Sequence, residues 1–149
     1  MEITTTIGRI LYRKGSSVWS ITPGETVYSG LMLMAQHNIG ALPVMSENRL
    51  VGMLSERDYA RKVALLGRAS KDTPVSQIMT RAVITVTRED SVSDSLTTMT
   101  THRVRHLPVM EDGKLVGLIS IGDLVNWTIN AQKAVIHDLE NYVTGAYPA

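Results

Sequence analysis

No cysteine occurs among the 149 residues. That excludes disulfides and thiolate chemistry, and it suits a reducing compartment. Charge of one sign is also missing, with 15 Lys and Arg against 14 Asp and Glu, so the basic excess of a dedicated nucleic-acid binder is absent. No apolar run approaches the roughly twenty residues that a membrane helix requires. The start, Met1-Glu-Ile-Thr-Thr-Thr6, lacks the charge and apolar stretch of a secretory signal. These absences lead us to expect a soluble, cytoplasmic protein with no membrane or nucleic-acid partner. Neither the phosphate loop Gly-x-x-x-x-Gly-Lys nor the fingerprint Gly-x-Gly-x-x-Gly occurs. The histidines His37, His102, His106 and His137 show no ligand spacing, so no metal is expected. Gly117-Leu-Ile-Ser-Ile-Gly122 is not a nucleophile elbow, which leaves Ser120, His106 and Asp123 without support as a triad. We therefore expect neither catalytic residues nor an enzyme.

What is present is a duplication. The stretch 103–123 has an earlier copy at 38–58: Pro43 pairs with Pro108, Gly52 with Gly117, Ser55 with Ser120 and Asp58 with Asp123. Carried backward, the same offset pairs Val18 with Val83, Thr22 with Thr87, Val27 with Val92, Leu31 with Leu96, Met34 with Met99 and His37 with His102. About fifteen of some forty aligned positions are identical without a gap, which chance does not give at one fixed offset. A chain of about 150 residues is the usual size of one domain, so two half-sized copies sharing one interface fit it best.

The spacing of Ile7, Ile10 and Leu11 predicts a helix over 5–13, broken by Lys14-Gly-Ser-Ser17. Residues 18–21 read as a short strand closed by the turn Thr22-Pro-Gly-Glu25. From Thr26, the residues Val27, Leu31, Met34 and Ala35 mark one helical face, ending near Asn38-Ile-Gly40. The apolar runs 42–45 and 50–54, split by Glu47-Asn-Arg49, predict a hairpin, and Ser55 opens a helix to about Leu66, closed by Gly67. The polar stretch 67–74 reads as a linker. The second unit repeats the order: a short helix at 75–79, a strand at 83–86, a helix from 91 to about 102, and a hairpin over 107–119 turning at Asp112-Gly113. A final helix runs from Ile121 through Val135, Ile136, Leu139, Tyr142 and Val143 to Gly145.

The repeated strand–helix–strand–strand–helix unit, the Leu-Pro-Val opening each hairpin and the Gly-x-x-Ser-x-x-Asp closing it together resemble a tandem pair of cystathionine-β-synthase (CBS) domains. The likeness covers about residues 7–126. It implies an α/β (α+β) fold of two β-α-β-β-α domains packed with pseudo-twofold symmetry. The first domain would span 5–66, the linker 67–74 and the second domain 75–130, with a C-terminal helix and tail over 131–149. It further implies a regulatory module for signal transduction, commonly a flat homodimer, that acts on an unknown regulated protein. Such modules bind AMP, ADP, ATP, and sometimes NAD(H) or S-adenosylmethionine, in clefts between the copies; no catalytic cofactor is implied.

Ser55 and Ser120 each stand where a strand ends and a helix begins, and a helix start offers free N–H groups to a phosphate. Asp58 and Asp123, three residues on, can accept hydrogen bonds from vicinal ribose hydroxyls, or simply cap the first turn. The resemblance implies the ribose role at both. It also implies that Arg105 and His106 hold the phosphates of a ligand bound by Ser55 and Asp58. Their counterparts Gly40 and Ala41 carry no charge, so the two clefts should differ. Ile21, Thr22, Val86 and Thr87 resemble adenine-lining positions, with Ala41 a neighbour and Met53 more in keeping with core. Among Arg57, Arg61 and Lys62, one could reach a phosphate or simply be solvated. The alternative is an interaction adaptor with degenerate clefts, which the apolar stripe of the last helix favours, although that stripe could instead close the core or a homodimer.

Overall fold

A computed structural model describes residues 5–15 and 17–144, with Thr144 described in its backbone only. Ser16 of the expected helix break and Gly145 at the expected helix end lie outside the described residues. Helix α1 is Ile7–Lys14 and α2 is Val27–His37. Strands β1, Ala41–Ser46, and β2, Arg49–Ser55, lead into a single α-helical turn, α3, Glu56–Tyr59. In the second copy α4 is Val92–His102, β3 is His106–Glu111, β4 is Lys114–Ser120, and α5 is Ile121–Thr144.

Local chemistry accounts for most boundaries. Thr26 and Ser91 cap α2 and α4 by accepting the amides of Ser29 and Asp94. Asn38 and Arg103 end these helices in the left-handed region, at φ of 53° and 55°. Each hairpin turns on two residues with positive φ, Glu47-Asn48 and Asp112-Gly113, as the right-handed twist of a two-residue connection requires. The helix after β2 differs from expectation. It continues as a π-helical turn over Ala60–Ala64 before Gly67, at φ 68°.

The expected strands at 18–21 and 83–86 shrink to one bridging residue each, Ile21 against Val44 and Val86 against Val109. Prolines explain this. Ile21 donates to Pro43 O and accepts from Met45 N, so the next bond back along the parallel ladder would need an N–H from Pro43. Pro108 stops the second copy in the same way. The named sheets are therefore two hairpins, each flanked by a parallel bridge.

Packing exchanges the leading segments. Ile7, Ile10 and Leu11 of α1 are buried with Val109, Ile119 and Leu124 of the second copy. Val75, Ile78 and Met79, which open the second unit in sequence, are buried with Val44, Leu54 and Val63 of the first. The backbone repeats the exchange: Val92 N bonds Thr5 O, as Val27 N bonds Thr73 O. Gly52 and Gly117 permit it, because a Cβ at Gly52 would lie 2.7 Å from Met79 Sδ and one at Gly117 would lie 2.7 Å from Leu11 Cδ2. Thus 75–79 belongs to the core of the first copy, and 7–14 to that of the second. Ala35 of the expected buried face is exposed. α5 buries Leu124 and packs Trp127 at its start. Its later residues Val135, Ile136, Leu139, Tyr142 and Val143 are 54–82% exposed, so they do not close the core. No described helix is long and apolar enough to cross a membrane.

Candidate functional site

The start of α3 is built by a reciprocal cap. Ser55 Oγ accepts the Asp58 amide at 3.1 Å, while Asp58 Oδ2 accepts the Ser55 amide and hydroxyl, each at 3.0 Å. This fixes the carboxylate on the strand end and buries it, at 8% exposure. Its second oxygen, Oδ1, faces the Thr80 hydroxyl at 3.3 Å and the Lys62 ammonium at 3.1 Å; Lys62 also donates to Ile78 O. Of the three cations following Ser55, Lys62 therefore serves the carboxylate.

Beside Ser55 and Asp58 opens a cleft of about 360 Å³, within the range of small-molecule sites. One wall carries Gly40, Ala41, Met53, Glu56 and Arg57 from the first copy. The opposite wall comes from the second copy, with Arg103, Val104, Arg105 and His106. Thr80, Ala82, Val83 and Ile84 complete it. The copies approach closely here: Arg57 Nη1 donates to Arg103 O at 3.0 Å, and His106 Cε1 lies 3.4 Å from where a Gly40 Cβ would stand. Desolvation by burial pushes the His106 pKa below its ordinary value. Lys14 pushes the same way, Asp123 opposes, and Arg105 adds to the lowering. The cleft thus joins a buried carboxylate, a basic rim and an apolar flank.

Of the residues read from sequence, Ala41, Ser55, Arg57, Asp58, Arg105 and His106 meet in this cleft, and Met53 reaches it rather than remaining in the core. Ile21 and Val86 do not line it; each is buried in the core by its parallel bridge. Nor do Thr22 and Thr87, whose amides cap turns by donating to the Glu25 and Asp90 carboxylates. Ser120 and Asp123 stand apart from it in a second, equivalent cap. There Ser120 N donates to Asp123 Oδ2 at 2.8 Å and Asp123 N to Ser120 Oγ at 3.1 Å. Burial disfavours the Asp123 charge, but hydrogen bonds from Lys14 and Ser120 outweigh it and hold the pKa below the ordinary carboxylate value.

Sequence reading missed Arg103, Val104, Thr80, Glu56 and the wall at 82–84. Arg103 was legible in part: it is a cation at a left-handed helix end where the first copy has Asn38. Among the described residues no group of His, Asp and Glu is placed to hold a metal ion.

The sequence model of the CBS domain matches residues 14–65 and 75–130. The CBS domain-containing protein CBSX3, mitochondrial, of Arabidopsis thaliana is 39% identical over 154 residues, covering 97% of this chain and 74% of that protein. A candidate signal-transduction protein with CBS domains from Burkholderia ambifaria superposes with a TM-score of 0.83 at 46% identity, covering 86% of this chain and 96% of that one. A hexameric CBS-CP12 protein from bloom-forming cyanobacteria superposes with a TM-score of 0.74 at 25% identity, covering 84% of this chain and 72% of that one.

Proposed function

The chain belongs to the CBS-domain family as a tandem pair, and from that premise we propose that it is a regulatory module, not an enzyme. It senses an adenine nucleotide in the cleft between its copies. The carrying observation is the apposition of Asp58, from the first copy, with Arg105 and His106, from the second. In this reading the ribose hydroxyls donate to Asp58 Oδ1, displacing the 3.3 Å contact from Thr80 and sharing that oxygen with the Lys62 ammonium, while Oδ2 keeps its cap. The phosphate meets the guanidinium groups of Arg105 and Arg103, planar donors suited to it. Val83, Ile84, Val104 and Met53 flank the base. AMP, ADP, ATP and NAD(H) share these groups.

Because one wall comes from each copy, the bound nucleotide favours one arrangement of the two, and an unidentified regulated protein reads the result. Homodimer formation is part of the proposal; the exposed apolar residues of α5 support self-association, and a cytoplasmic setting suits a chain without cysteine. A thermal-shift scan with AMP, ATP, NADH and S-adenosylmethionine tests the reading, since a ligand of the folded state raises the melting temperature. Calorimetry of Arg105→Ala follows: affinity for the active ligand should drop at least tenfold, and unchanged affinity rejects the phosphate assignment. The exposed stripe on α5 also favours a second reading, an adaptor. A flat response to all four ligands would select it.

A further inference from the structure

Leu124 and Trp127 fasten the start of α5 to the second copy, but from Ala131 through Val143 no residue of the helix is buried. That stretch reaches about 20 Å with no cover of its own, and a helical segment so short is marginal in water unless one face is packed. Its apolar residues keep the alternating four-three spacing of a coiled-coil seam: Val125, Ile129, Ile136, Leu139 and Val143, with Gln132 the one polar position. The five apolar members are 41–82% exposed. Val135 and Tyr142 border the seam on one side, Lys133 and Glu140 on the other. Lys133 is balanced by Asp138 and Glu140, so the helix lacks the cationic face of one that lies on a membrane.

We propose that α5 pairs antiparallel with α5 of a second molecule of this chain, in the register that sets Lys133 against the partner's Glu140. This pairing rests on the self-association proposed above and is independent of the nucleotide cleft. In that register Ile136 packs against the partner's Leu139 and Gln132 against the partner's Val143, and a two-fold axis repeats each layer. The charged flank then closes twice, Lys133 on the partner's Glu140 and Glu140 on the partner's Lys133. The other flank brings Val135 onto the partner's Tyr142. Neighbouring registers fail on charge. Sliding by one heptad sets Lys133 against the partner's Lys133 in one direction, and Glu140 against the partner's Glu140 in the other. A parallel pair would face Glu140 with the partner's Val135 and Lys133 with the partner's Thr128, with no charge pairing at all. Complementarity therefore selects both the direction and the register.

Sedimentation equilibrium of the full chain tests the pairing. The wild type should be a dimer that dissociates on dilution. Lys133→Glu and Glu140→Lys should each weaken it at least about tenfold, because attractive contacts become repulsive on both sides of the axis. Lys133→Glu/Glu140→Lys should restore it, and an equimolar mixture of the two single variants should associate more tightly than either alone. Ile136→Ala/Leu139→Ala should be monomeric where the wild type is dimeric, since alanine keeps the helix but removes the seam. Thermal melts establish that each variant is folded, the replaced side chains all being exposed. A wild-type dimer indifferent to these substitutions overturns the α5 pairing and leaves self-association through another face. Weakening by the single reversals without rescue by the exchange or the mixture overturns the antiparallel register, and the proposal with it. A monomeric wild type overturns both the pairing and the self-association, and leaves the stripe to a different protein.

Discussion

Met79 lies over Gly52 so closely that a Cβ there would stand 2.7 Å from its sulfur and 3.0 Å from Thr80 O. The pair ties the start of the second unit to the strand that carries Ser55. It also sets a steric limit that differs from its counterpart at Gly117, where the nearest atoms all belong to the Leu11 side chain.

Gly52→Ala and Gly117→Ala should both destabilise, each within the roughly 1–3 kcal/mol typical of overpacking. Gly52→Ala should be the worse. A flexible side chain can yield at Gly117, whereas the carbonyl of Thr80 cannot do so without breaking its bond from Met53 N. Urea unfolding ranks the two, and the opposite ranking would contradict the backbone contact.

Leu11→Ala empties a fully packed site, at 2% exposure, and should cost about 2–5 kcal/mol. The damage should appear remotely. Amide exchange should rise in β3 and β4, and Met79→Ala should raise it in β1 and β2. If Leu11→Ala loosened the first hairpin instead, the exchange of leading segments would be refuted.

Asp58→Asn keeps the side-chain shape but loses the charge that binds Lys62 and that the proposed reading assigns to the ribose. Weakening of the helix start should cost about 1 kcal/mol, and nucleotide affinity should fall at least tenfold. Asp123→Asn should leave that affinity within about threefold, well under 1 kcal/mol. Equal losses in calorimetry would contradict the division of roles.

The His106 pKa is lowered in the folded chain, so the unfolded chain takes up the proton first. Stability from this group is complete above the unfolded value of 6.5 and declines as pH falls through it towards the folded value. Unfolding midpoints between pH 7.5 and 5.5 should show that decline in the wild type and a shallower one in His106→Gln. Asp123 titrates in a lower window, since its folded pKa lies below 3.8. Its contribution is present above 3.8 and fades only as pH falls through the folded value, so the two groups separate.

Much of this was legible in residues. The repeat, both hairpins and the Ser-to-Asp spacing are local patterns, and the caps formed where Ser55 and Ser120 predicted them. Two features were not local. Strand length at 18–21 was decided by missing N–H groups on the neighbouring strand, at Pro43, which no reading of 18–21 alone reveals. The flank of the cleft was placed at 82–84 rather than at Val86 and Thr87 because Val86 turns inward to bridge Val109 and Thr87 closes a turn. Lys14 looked like part of a helix break; only the exchanged packing carries it to Asp123.

The crossed placement of α1 and residues 75–79 bears on the chain's ancestry. A half taken alone would hold a hairpin whose missing lid exists only on another polypeptide, and two such halves would clasp one another reciprocally. The duplicated gene then reads as a fused obligate pair, and cleaving the tether at 67–74 would leave the two fragments interlocked.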